Sequence, residues 1–194
     1  MQLYNLRLAG AILFTGAAQF ILAMIIAEAL YPGYSTSANY ISDLGVGRSA
    51  PIFNTSIFLL GVTIVAGAYL IYRALKPALF TVLLALAGIG AMGVGLFTED
   101  SLYVHTVVSA ITFLFGSLAA ITSYGLIRRP LKYASVILGL FGLVAQALMF
   151  SGMTLGLGVG GMERMIAYPL LLWGLGFGGN LANQHQETAT APKE

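Results

Sequence analysis

The chain has 194 residues, 58% of them hydrophobic and only 8% charged, with a mean hydropathy of +0.88. A soluble domain of this length has no interior large enough for that much apolar surface, so the expected solvent is a lipid bilayer. The net charge of +2 is no nucleic-acid signature, and the absence of cysteine excludes disulfides, thiol catalysis, thiolate metal sites and covalently attached haem.

Charged residues interrupt long apolar runs, each close to the roughly 20 residues that cross about 30 Å of hydrocarbon. Spans are expected at about 8–30, 52–75, 78–98, 104–127, 133–151 and 163–181. The expected class is therefore all-α, a polytopic integral membrane protein with six transmembrane helices in one bundle. Runs such as 8–27 show no alternation of polarity, which excludes outer-membrane strands.

The first span follows Arg7 and ends near Ala27-Glu28-Ala29, a small-x-small pattern like a cleavage site. Its apolar run is long for a signal peptide, so it is expected to remain as an anchor. In the loop that follows, Ser35 to Gly45 opens on capping residues and stops at glycine. This predicts a short interfacial helix at about 35–45, with Asn39 and Asp43 on one face and Tyr31, Tyr34 and Tyr40 at headgroup level. Asn54-Thr55-Ser56, near the start of span two, reads as a cap or packing feature. Span three carries Ala87, Gly88, Gly90, Ala91, Gly93 and Gly95, small residues that let backbones approach closely.

Glu99 and Asp100 close span three, His105 opens span four, and Glu163-Arg164 opens span six. Arg7, Arg73, Lys76, Arg128, Arg129, Lys132 and Lys193 fall in alternate segments from Glu28, Asp43, Glu99, Asp100 and Glu163. Because short loops rich in Lys and Arg stay on the cytoplasmic side, both termini are expected to be cytoplasmic in the cell membrane, with the acidic face outward. The polar tail 183–194 has no buryable face and is expected to be disordered and cytoplasmic.

The stretches Asn39 to Gly45, Pro51 to Asn54 and Gly95 to Asp100, together with His105 and Glu163-Arg164, resemble a prokaryotic membrane family catalogued as domain of unknown function nine-nine-eight. They are similar, more distantly, to the eukaryotic Frag, DRAM and Sfk group. The resemblance spans nearly the whole chain. It implies a six-helix fold and, through the eukaryotic group, a connection with membrane lipid homeostasis, but it supplies no catalytic mechanism.

Antiparallel helices would bring the acidic loops to one leaflet. There Asp43, Asp100 and His105 are the candidate catalytic residues, with His105 as base or metal ligand and an aspartate as its partner. Ser42, Glu163 and Arg164 are the candidate lipid- or anion-binding residues, the guanidinium suiting a phosphate or oxyanion. No metal is assigned; if Asp43, Asp100 and His105 held one, so oxygen-rich a set would favour a divalent cation such as Mg²⁺, Ca²⁺ or Mn²⁺. With only two histidines, one of them in the tail, neither a three-histidine zinc site nor a bis-histidine haem is expected.

Three functions remain open: a lipid hydrolase or transferase, a non-catalytic lipid-binding or regulatory protein, and a small transporter. For transport, Gln19, Ser117 and Gln146 are the polar groups near the midplane. Membrane lipids are the expected partners, and nucleic acid is not.

Overall fold

A computed structural model of the chain describes residues 1–184. It contains the helices α1 (Gln2–Leu30), α2 (Ala50–Leu75), α3 (Ala78–Leu96), α4 (Leu102–Thr122), α5 (Leu131–Phe150) and α6 (Gly158–Ala182). All six are long and apolar enough to cross a membrane. Helices α1 and α6 begin several residues before the expected spans, since hydropathy marks where hydrocarbon begins whereas backbone hydrogen bonding continues into the interface. The expectation of a disordered tail falls mostly on residues outside those described.

Consecutive helices pack side by side and α1 closes against α6, so the bundle is a ring in chain order. Short connections make the neighbours antiparallel. One end of the ring holds the connections 31–49, 97–101 and 151–157; the opposite end holds the N-terminus and the connections 76–77 and 123–130. Glu28, Asp43, Glu99, Asp100 and Glu163 thus share the first end, while Arg7, Arg73, Lys76, Arg128, Arg129 and Lys132 share the second.

Between helices in lipid there is little hydrophobic drive, and close van der Waals approach replaces it. Glycine provides that approach where α1 crosses α6, because a Cβ on Gly10 would overlap the backbone of Gly178 and Ala182. Gly61 and Gly88 serve α2 and α3 in the same way. Gln19 is committed to this packing too: Nε2 donates to Ser56 O at 2.9 Å and Oε1 accepts from Ser56 Oγ at 3.0 Å. A buried polar pair thereby ties α1 to α2.

The expected helix at 35–45 does not form. The segment is a turn at 36–39 followed by 3₁₀ turns Ser42–Gly45 and Gly47–Ser49. Its polar side chains take up the backbone groups a helix would need: Ser35 N–H donates to Asn39 Oδ1 at 3.1 Å, and Tyr40 N–H donates to Asp43 Oδ2 at 3.0 Å. Its carbonyls are engaged by α6, since Ser37 O accepts from Gly160 N–H at 3.0 Å and Thr36 O from Arg164. Gly160 permits this contact, because a Cβ there would overlap Asn39 O. The loop is consequently fixed against the first turns of α6, over the acidic end of the ring.

Candidate functional site

Two polar systems lie side by side beneath this loop. The first is centred on Arg164, only 7% exposed. One terminal nitrogen, Nη2, donates to Glu28 Oε1 at 2.6 Å and to Tyr34 Oη at 2.7 Å; the other, Nη1, donates to Thr36 O and Gly160 O, both at 3.0 Å. Tyr34 in turn donates to Tyr40 O at 2.9 Å, so one guanidinium joins α1, α6 and the loop. Burial pushes the Tyr34 phenol up to about 12, with the Arg164 hydrogen bond and charge opposing the shift. Arg164 thus ties these elements together through all four terminal N–H groups, while its buried Nε has no partner among the described residues.

The second system is a cavity of about 320 Å³ between α4, α5 and α6, covered by the loop. Its polar lining comes from Tyr40, Ser42, Glu99, His105, Thr106, Ser109, Gln146 and Glu163, and its apolar lining includes Phe113, Met149, Phe150 and Ile166. His105 and Ser109 lie one helical turn apart, so both face it from α4.

His105 Nδ1 lies 2.7 Å from Phe97 O, and because a carbonyl only accepts, Nδ1 carries the proton. Nε2 then faces Ser109 Oγ at 3.3 Å. Ser42 Oγ donates to Glu99 Oε1 at 2.5 Å, and Ile41 N–H donates to Glu163 Oε2. The other Glu163 oxygen has no hydrogen-bond partner among the described residues. Burial, and then the charges of Glu163, Glu99 and Asp43, raise the Tyr40 phenol above its ordinary value.

From this cavity a shallow apolar groove runs along the outside of α4 and α5, lined by Val107, Ile111, Leu114, Leu143 and Ala147. Ala110, Gln146 and Phe150 line both spaces. The cavity and the apolar groove are therefore neighbours, with these three residues between them. A separate apolar cavity of about 100 Å³ lies inside the ring around Leu84, Phe113 and Trp173.

The sequence-based candidates thus divide. Ser42, His105 and Glu163 line the cavity, together with Glu99. Asp43 does not line it: Oδ2 accepts from Asn39 Nδ2 at 2.9 Å and from Tyr40 N–H, an arrangement that staples the loop, although the carboxyl is within electrostatic reach of Glu99. Asp100 is exposed and accepts from Thr98 Oγ1 at 3.2 Å. The triad Asp43, Asp100 and His105 is not brought together, and no group of three metal-ligating side chains occurs among the described residues. Tyr40, Ser109 and Gln146 were not predicted as site residues. The available signals were the i, i+4 spacing of Ser109 from His105 and a lone glutamine within an apolar run.

The model of the family described as "Protein of unknown function (DUF998)" matches residues 14–179. The chain belongs to the DUF998 family. No curated protein and no solved structure matches it. The matched range includes the whole acidic end of the ring, with both polar systems.

Proposed function

We propose that this DUF998 protein binds a membrane amphiphile, its head in the cavity beneath the 31–49 loop and its chain in the groove between α4 and α5. The observation that carries this reading is the sharing of Ala110, Gln146 and Phe150 by cavity and groove, which sets polar groups within one amphiphile's reach of the apolar groove. The cavity volume lies in the range of ligand sites, roughly 300–1,000 Å³. The basic end of the ring belongs at the cytoplasmic surface of the cell membrane, which puts the cavity in the outer leaflet. Membrane lipids are then the natural partners.

Native mass spectrometry of the detergent-purified full chain tests the reading. One amphiphile should remain bound to the unaltered protein and be lost on Ala147→Trp, which fills the groove from its exposed wall. Retention of the same amphiphile by Ala147→Trp would contradict it.

A second reading, acyl transfer, is favoured by a specific pair: Ser109 Oγ faces a His105 ring held by Phe97 O. A fluorophosphonate probe should then label Ser109, and His105→Gln should abolish labelling. An unlabelled Ser109 would leave binding alone.

A further inference from the structure

We propose that the head group accepted by the cavity is a cation, so that the ligand is an ammonium-bearing amphiphile and not a phosphate- or carboxylate-headed one. This rests on the amphiphile reading above and names the class of ligand. The polar lining consists of Glu99, Glu163, His105 and the neutral groups of Tyr40, Ser42, Thr106, Ser109 and Gln146, with no lysine or arginine among them. The one guanidinium nearby, Arg164, has both terminal nitrogens engaged by Glu28, Tyr34 and backbone carbonyls.

Two side chains in this cavity are more than nine-tenths buried yet incompletely partnered. Glu163, 6% exposed, uses Oε2 for Ile41 N–H and has nothing on Oε1; Gln146, 8% exposed, donates from Nε2 to Ala110 O at 3.4 Å and has nothing on Oε1. Both side chains line the cavity, so either oxygen would accept from the N–H donors, or pair with the positive charge, of a head group placed there. A phosphate or carboxylate would instead add negative charge beside Glu99 and Glu163, with no lysine or arginine in the lining to offset it. Tyr40, Phe113 and Phe150 add aromatic faces of the kind that stabilise alkylammonium groups.

Titration calorimetry of the full chain in an uncharged detergent tests this with dodecyltrimethylammonium, dodecyl phosphate, an uncharged dodecyl polyethylene glycol ether, and chainless tetramethylammonium. The ammonium amphiphile should bind at least about tenfold more tightly than the phosphate, a difference of about 1.4 kcal/mol. That preference should fall about tenfold in Glu163→Gln and in Glu99→Gln, and persist in Glu28→Gln, which perturbs only the neighbouring Arg164 system. Glu99→Gln, at a half-buried helix end, carries the test alone if Glu163→Gln does not fold.

Ala147→Trp should weaken every dodecyl compound. Equal binding of all head groups, still lost in Ala147→Trp, overturns the cation proposal while the amphiphile reading survives. Dodecyl binding indifferent to Ala147→Trp overturns the amphiphile reading itself. Tetramethylammonium binding as tightly as its dodecyl counterpart would make this a free-cation site and overturn the lipid source.

Discussion

Glu163 and Arg164 are consecutive on α6 and almost equally buried, yet they belong to different parts of the molecule. A helix turns about 100° per residue, so consecutive side chains face different neighbours. Arg164 points toward α1 and the loop and has partners on both terminal nitrogens, whereas Glu163 accepts from Ile41 N–H of that loop, lines the cavity, and retains one oxygen without a donor among the described residues. Arg164 leaves its buried Nε without a partner, but its four terminal N–H groups all hold helices and loop in place; Glu163 faces a cavity and has an oxygen left for a ligand. The adjacent pair therefore separates scaffold from site more clearly than any motif in the chain.

The largest expected effect lies on the scaffold side. Arg164→Met strands the Glu28 carboxylate, itself only 23% exposed, and should cost about 3 kcal/mol in detergent unfolding. Adding Glu28→Gln should recover part of that loss, because a stranded charge is worse than an absent pair. Strictly additive losses would place Arg164 and Glu28 in separate environments and break the comparison. Gly160→Val comes next, at about 2 kcal/mol, since its side chain must displace Asn39 O and lift the loop from α6. It should also weaken ligand retention, which native mass spectrometry can follow.

On the site side, Glu163→Gln should change unfolding by less than about 1 kcal/mol, because the amide oxygen can still accept from Ile41 N–H. A loss as large as that of Arg164→Met would make Glu163 scaffold as well.

Tyr34→Phe, back on the scaffold side, should cost about 1 kcal/mol for the hydrogen bonds lost. It also carries a pH signature. With the folded phenol at about 12 against an ordinary 10, the unfolded chain gives up the proton first, so stability declines as pH rises between those values. Unfolding followed across that range should show a shallower decline in Tyr34→Phe than in the unaltered chain. Equal slopes would place Tyr34 in water.

The helices were legible because a bilayer forces backbone groups to pair within a segment, leaving hydropathy as an adequate guide to each span. The acidic end was legible for the same reason, since short connections sort charges by end. Partner choice was not. Glu28 lies 136 residues from Arg164, and no spacing in the sequence records the rotation of α1 relative to α6 that joins them. Reading Glu163-Arg164 as a unit failed because adjacency along a helix separates side chains in space. The loop misled for a different reason: Ser35 suits a helix cap and Asn39 and Asp43 a shared helical face, but in three dimensions their groups close turns while neighbouring carbonyls serve α6. Asp100 was chosen for its charge and position next to Glu99, yet only Glu99 faces the cavity.

The most direct measurement is an experimental density map of the full chain purified with its native lipid. Continuous density should run from Glu163, Glu99 and His105, past Gln146 and Phe150, to Ala147 in the groove between α4 and α5, while the Arg164–Glu28 pair stays closed. An empty cavity with ordered lipid elsewhere on the ring, or a head group bound to Arg164, would contradict the division between scaffold and site.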